Sequence, residues 1–268
     1  MTHAWLPRTP CDQSCVRLGQ LAPAMRVFRV VCRLPVIAVL LSVAPLVFLP
    51  QPARSRTTRL YCRIMLRAMG VRVTQSGGPI RNVPGMLVVS PHMSWVDVLV
   101  ISALMPAAFV AKAELTRWPG LGLLARVMKV IPIDRSKLRR LPDVVGTVAS
   151  RLRAGQTVVV FPEGTTWCGL AQGPFRPAMF QAAIDAGRPV QPLRLSYHHR
   201  DGSASTVPAF VGNDTLLRSV LRLVSARPTV AHVHVEALQL PGLRRRDLAV
   251  RCQQAVGGAL RPEHALVG

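Results

Sequence analysis

Short apolar runs alternate along most of this chain with segments of helical period, and turn residues mark the limits between them. Met86 to Ser90 follows Pro84-Gly85 and predicts a buried strand. Ser94 to Ala103 follows as a helix, with Ser94 placed to cap it. Ala108 to Ala111 and Val130 to Ile133 read as short strands, with a helix between them around Leu121 to Met128. Leu141 to Arg153 predicts a helix closed by Gly155, and Thr157 to Phe161 is the clearest core strand. Pro177 to Ala186 opens on Pro and stops before Gly187, as a helix does. Val190 to Tyr197 and Thr229 to Leu240 complete the strands, and Arg244 to Leu260 is a terminal helix. Alternation of this kind predicts an α/β fold, with a central mixed, mostly parallel sheet flanked by helices.

The first sixty residues follow a different pattern. Residues 1–25 carry Pro7, Pro10 and Pro23 without a period and read as a poorly ordered leader. Residues 26–60 form a basic, apolar membrane anchor, 61–240 the main domain and 241–268 the C-terminal helix. The apolar run from Leu34 to Leu49 spans roughly 16 residues, against the about 20 that a spanning helix needs. Pro35, Pro45 and Pro50 are expected to break it further, and Arg flanks both ends. A helical hairpin or half-inserted segment with both ends on the cytoplasmic face fits these features, with a single tilted transmembrane helix as the alternative. That places the protein at the cell membrane, monotopic on its cytoplasmic face.

Charge narrows the partners. The 268 residues hold 34 Lys and Arg against 12 Asp and Glu, a formal net charge of +22 that calls for an anionic partner. Aromatic residues are only 5%, too few for a base-stacking platform, and no nucleic-acid-binding motif is present. Anionic membrane lipids are therefore the expected partner, not nucleic acid. The six cysteines include one close pair, Cys11 and Cys15. With no second pair and no nearby His, the pair reads as free thiols in a reducing compartment rather than a zinc site. His232 and His234 share one face of a predicted strand, but no third ligand accompanies them, so no metal site is expected.

Four short blocks carry the candidate chemistry. His92-Met-Ser-Trp-Val-Asp97 sits where a strand turns into a helix, a favoured place for reactive side chains. A carboxylate at this spacing can accept from one imidazole nitrogen and leave the other as a base. Taken alone, the pair also fits a surface His beside a helix-start Asp. Phe161-Pro-Glu-Gly-Thr-Thr166 follows the core strand, and its Gly164 permits a tight turn or a close ligand; a plain turn with a solvated Glu163 is the other reading. Ile131 to Arg135 ends a strand in Asp134-Arg135, where Arg135 could grip a phosphate or simply pair with Asp134. Val190-Gln-Pro-Leu-Arg194 is a strand holding Pro192.

In this order and spacing the blocks resemble the lysophospholipid acyltransferase family, typified by 1-acylglycerol-3-phosphate acyltransferase. The resemblance covers roughly residues 60 to 240 and includes Lys112-Ala-Glu-Leu115 and Trp118-Pro119-Gly120 between the first two blocks. Two departures stand out: Pro91 precedes the His where Asn is common, and Phe175 to Phe180 replaces a more Lys- and Gly-rich stretch.

The resemblance implies a membrane-associated enzyme without cofactor. It would move a fatty acyl group from acyl-CoA or acyl carrier protein to the sn-2 hydroxyl of 1-acylglycerol 3-phosphate, giving phosphatidate. His92 would act as base and Asp97 would orient it. Lys112, Arg135 and the Glu163-Gly164-Thr165 turn would hold the lysophospholipid acceptor, with Glu163 at a glycerol hydroxyl or against Arg135. Glycerol 3-phosphate or a lyso-aminolipid is the alternative acceptor. A non-catalytic basic membrane-binding protein is the rival from another class, and the intact His92–Asp97 and Phe161–Thr165 blocks speak against it. A thioesterase is disfavoured because no G-x-S-x-G elbow is present.

Overall fold

The computed structural model describes residues 7–19, 21–47, 54–80, 83–113, 130–134 and 138–257. Two helices come first. Helix α1 (Pro23–Val47) runs for 25 residues and α2 (Arg54–Ala68) for 15. The expected break at Pro35 does not occur, and α1 passes unbroken through Pro35 and Pro45. A proline removes one backbone donor, a loss that a long apolar helix tolerates where its other bonds stay intact. The helix also begins at Pro23, inside the segment assigned to the leader, because proline suits a first helical turn. Its Pro23–Ala44 stretch is therefore long and apolar enough to cross a bilayer.

The two helices nevertheless pack as an antiparallel pair. The Tyr61 hydroxyl donates to the Leu40 carbonyl at 2.9 Å, and Gly70, just past α2, lies against the Arg33 guanidinium. Positions rise along one helix as they fall along the other. Helix α2 also runs through residue 60, across the boundary expected between anchor and main domain. Val27, Phe28, Val31, Val39 and Leu41 stay exposed on α1.

Among the described residues the strands are β1 (Val71–Gly77), β2 (Leu87–Val89), β3 (Ala108–Lys112), β4 (Ile131–Ile133), β5 (Val158–Val160), β6 (Val190–His198) and β7 (Thr229–Val235). They form one sheet in the order β1-β7-β6-β2-β5-β3-β4, parallel except where β6 meets β7. The fold is thus the mixed, mostly parallel α/β arrangement expected. Helices α3 (Val96–Leu104), α4 (Leu141–Arg153), α5 (Phe180–Ala186), α6 (Leu216–Ser225) and α7 (Arg245–Gly257) follow. Val88, Val159 and Leu193 belong to one apolar cluster, and Leu87, Val89, Val158, Val160 and Val190 to another. Alternate residues of the central strands thus feed opposite sides of the sheet, as a two-sided parallel sheet requires.

Two elements had escaped the apolar pattern. Strand β1 is an edge strand with only Val71 fully buried, so its sequence VRVTQSG carries little strand signal. Helix α6 is capped by Thr215, whose side chain accepts from the Arg218 amide at 3.3 Å. The helix expected around Leu121 to Met128 lies outside the described residues.

Packing of α1, α2 and α3 fixes the first block. Arg63 of α2 donates to the Ala103 carbonyl at 3.0 Å, near the C-terminus of α3. Arg29 and Arg33 of α1 donate at 2.9 and 2.7 Å to Ala226 and Val224 carbonyls at the end of α6. A cation at a helix C-terminus meets both the leftover carbonyls and the negative end of the dipole.

Candidate active site

Strands β2, β5 and β6 are neighbours, and their C-terminal ends carry His92, Phe161–Glu163 and Arg194–Tyr197. In parallel α/β sheets the crevice opens at this edge. Here the turn from β2 into α3 is short, and the helix-start carboxylate folds back over it.

Asp97 is fully buried, and four donors converge on it. Its Oδ2 lies 2.9 Å from His92 Nδ1 and accepts the amides of Met93 at 2.7 Å and Ser94 at 2.9 Å. Its Oδ1 accepts the Tyr197 hydroxyl at 2.7 Å. The carboxylate therefore does the capping expected of Ser94, whose hydroxyl reaches only the Val96 amide, at 3.3 Å. Four donors offset the cost of burying this charge. Burial and the adjacent Asp97 charge hold the Tyr197 hydroxyl well above its ordinary pKa, so it stays a donor. With Nδ1 turned to Asp97, the imidazole offers Nε2 to whatever enters. The ring stacks on Phe161, centroids 4.0 Å apart and 14° between planes, which limits its rotation.

A second buried carboxylate lies on the other side of His92. Glu163 Oε2 accepts the His92 amide at 2.7 Å and Oε1 accepts the Gly173 amide at 2.8 Å. The Trp167 amide in turn donates to the His92 carbonyl at 2.8 Å. Glu163 thus ties the two blocks together through main chain. Burial pushes its pKa up to about 8 despite the two amides, and the Asp97 charge adds to the rise.

The cleft beside the imidazole is lined by Met93, Glu163, Trp167, Arg194, Tyr197 and Ser205, among others. Two of these bring unpaired polar atoms. Trp167 Nε1 and Ser205 Oγ are buried without a hydrogen-bond partner among the described residues. Arg194 is paired, its Nη2 2.7 Å from Glu236 Oε1. A base held at one nitrogen and open at the other, in a cleft that also holds two unpaired polar side chains, suits proton removal from a bound hydroxyl.

Comparison with known proteins gives the family and the fold. The sequence profile of the Acyltransferase family matches residues 72–196. The chain is 36% identical over 211 residues to the lyso-ornithine lipid O-acyltransferase of Pseudomonas aeruginosa, covering 78% of this chain and 80% of that one. This chain belongs to the lysophospholipid acyltransferase family. It is also 34% identical over 174 residues to the 1-acyl-sn-glycerol-3-phosphate acyltransferase of Neisseria meningitidis, covering 64% and 68% of the two chains. The solved 1-acyl-sn-glycerophosphate acyltransferase of Thermotoga maritima shares the fold, with a TM-score of 0.66 at 17% identity over 91% of this chain and 99% of that one.

In this acyltransferase the structure brings together His92, Asp97 and Glu163, with Gly164 and Thr165 in the same turn as Glu163, and leaves Lys112 apart from them. Glu163, expected at a substrate hydroxyl or Arg135, has both oxygens engaged by backbone amides instead. Gly164 takes φ +73°, and a side chain there would collide with Pro7, so its role includes the close approach of the N-terminal segment. Thr165 is half-buried in the same turn. Lys112 is exposed at the end of β3, two strands from β2, and is not in the cleft lining. Arg135 lies outside the described residues. Tyr197, Trp167 and Ser205 were missed. Tyr197 ends the strand predicted at Val190 to Tyr197, three residues past the fourth block, and a buried Tyr needs a hydroxyl partner, which was the one available signal.

Proposed function

We propose that this acyltransferase esterifies the hydroxyl of a lysolipid, with His92 as general base and Asp97 holding its tautomer. His92 Nε2 takes the hydroxyl proton as the oxygen attacks the thioester carbonyl of acyl-CoA or acyl carrier protein. The tetrahedral intermediate collapses, the C–S bond breaks, and the imidazolium returns the proton to the departing thiolate. The observation that carries this reading is the 2.9 Å His92–Asp97 contact at the mouth of the cleft. Asp97 stabilises the imidazolium formed midway. Trp167 Nε1 and Ser205 Oγ are the proposed hydrogen-bonding partners of substrate.

For the acceptor, the pairing of Arg194, which lines the cleft, with Glu236 favours a lyso-ornithine lipid. Arg194 is already matched by Glu236, and an ornithine headgroup brings a carboxylate and an ammonium of its own. A phosphate monoester would call for unmatched cations. The relative from Pseudomonas aeruginosa supports the same acceptor. The second reading is 1-acylglycerol 3-phosphate, acylated at the sn-2 hydroxyl to phosphatidate, supported by the Neisseria meningitidis relative, with Lys112 and Arg135 as the phosphate ligands.

Full-length protein in detergent, given oleoyl-CoA and each acceptor in turn, decides between them. Turnover of lyso-ornithine lipid with a higher kcat/KM than 1-acylglycerol 3-phosphate is expected; the reverse order establishes the second reading. Loss of both activities in His92→Ala, with an unchanged circular dichroism spectrum, is the outcome expected of the base.

The α1–α2 pair is proposed to lie half-inserted on the cytoplasmic face. Arg29 and Arg33 hold the first half of α1 against the domain, and the pair's exposed apolar residues then face lipid. Retention on membranes through a high-salt wash, with release by detergent, is expected. Release by salt alone reduces the anchor to electrostatics.

A further inference from the structure

The thiols of Cys11, Cys15 and Cys168 meet at one point, although 153 positions separate the last two. Cys11 and Cys15 come from the N-terminal segment, on either side of the start of a short 3-10 turn (Gln13–Cys15). Cys168 comes from the loop after β5, directly beside Trp167 of the cleft. The sequence offered only the first pair, and the fold supplies the third. All three sulfurs lie within 4.8 Å of one another, and Cys11 and Cys168 are buried. Around a tetrahedral zinc ion, with Zn–S near 2.3 Å, sulfurs sit about 3.8 Å apart, so a modest contraction would complete the triangle.

We propose that Cys11, Cys15 and Cys168 form a three-thiolate site for a thiophilic metal ion of the zinc class. Three thiolates select soft or borderline ions and reject magnesium and calcium. Binding releases the three thiol protons and leaves the Zn(SR)3 unit with one negative charge, in a chain of net charge +22. The Leu170 amide already hydrogen-bonds the Cys168 sulfur, a bond that favours the thiolate.

The site would fasten the N-terminal segment across the active-site loop. That segment already touches the surroundings of the loop at other points. Pro7 packs on Gly164, Asp12 packs on Gly212, and the Arg17 amide donates to Thr206 Oγ1 at 2.8 Å. Metal binding adds a covalent-strength tie between the segment and the loop that carries Trp167. Because it involves none of the groups assigned to acyl transfer, it stands or falls separately from the proposed reaction.

The test uses full-length protein in detergent, kept reduced with a non-thiol reductant and stripped by a chelator. Titration with Co2+ is expected to give thiolate-to-cobalt charge-transfer absorption saturating at one ion per chain, displaced by Zn2+. Zinc should release roughly three protons per ion in weak buffer. It should also raise the melting temperature. Cys15→Ser, at a half-buried position that tolerates the change, should lose the cobalt band and the zinc-induced rise while melting normally without metal. Cys168→Ser should behave alike, and Cys32→Ser, at an exposed cysteine outside the cluster, should bind as wild type. An absent cobalt band in wild type overturns the proposal. So does an undiminished band in Cys168→Ser. Recovery of a Cys11–Cys168 disulfide from protein isolated without reductant, combined with no metal binding after reduction, overturns it in favour of a redox pair.

Discussion

Two turns leave the same edge of the sheet side by side, one after β2 and one after β5, and each buries a carboxylate against His92. Asp97 meets the imidazole; Glu163 meets the backbone amide of the same residue. The first contact can respond to a proton arriving on the ring. The second holds the chain, because the His92 and Gly173 N–H groups that it accepts do not themselves titrate. Two carboxylates of similar burial are thus given different duties by which atom of one histidine they face.

The comparison breaks most readily at Asp97. Asp97→Asn keeps the shape but removes the charge that favours the imidazolium, and His92→Ala removes the base. Each should lower kcat by about 10²–10⁴-fold, the usual worth of positioned base catalysis. Single-turnover assays on protein with an unchanged circular dichroism spectrum measure it. Near-wild-type kcat in either variant would end the assignment.

Tyr197→Phe tests whether Asp97 needs its fourth donor. A hydrogen bond to a charged group is worth about 1.5–3 kcal/mol, so the variant should melt lower. Its kcat should fall less than that of Asp97→Asn, since Nδ1 and the two amides still hold the carboxylate. Equal losses of kcat in the two variants would mean that Tyr197 does more than position.

Glu163→Gln should mainly affect stability, by about 1–3 kcal/mol, because the amide group can accept only one of the two N–H donors well. Its pH dependence gives a sharper reading. The native pKa of Glu163 is raised from 4.5 to about 8, so between these values the folded state keeps a proton that the unfolded state has lost. Stability from this group is therefore full below pH 4.5 and falls as pH rises to about 8. The wild-type melting temperature should decline across that window more steeply than that of Glu163→Gln. Parallel profiles would remove Glu163 from the titrating groups.

Sequence made the centre of this molecule legible and its margins opaque, for physical reasons. Buried strands such as Thr157–Phe161 announce themselves as apolar runs between turns, and the His92–Asp97 spacing announces a contact across the turn from strand into helix. Strand β1 gave little signal because an edge strand buries few side chains. Pro35 misled because the cost of a proline depends on surroundings that the local sequence does not state. Glu163 was assigned to substrate because nothing local shows that Gly173 returns to meet it. The Cys168 contact with Cys11 and Cys15 was invisible for the same reason: sequence spacing carries no information about which distant loops converge.

The smallest expected effect belongs to Ser205, and it runs in two directions at once. Its hydroxyl is buried, lines the cleft and has no hydrogen-bond partner among the described residues. A buried hydroxyl left unpaired costs the folded protein about 1–3 kcal/mol, so Ser205→Ala should leave the melting temperature unchanged or raise it. If the hydroxyl bonds the acceptor during transfer, the same variant loses one neutral hydrogen bond, about 0.5–1.5 kcal/mol, or roughly two- to tenfold in acceptor kcat/KM. Donor KM should stay close to wild type if the hydroxyl serves the acceptor alone. Stability and catalysis then move oppositely, which a purely structural serine cannot produce: loss of a structural bond would lower the melt and leave both substrates equally affected. Thermal melts beside kinetics with each substrate varied in turn separate the two, and a lowered melt with unchanged acceptor kcat/KM would remove Ser205 from the substrate's partners.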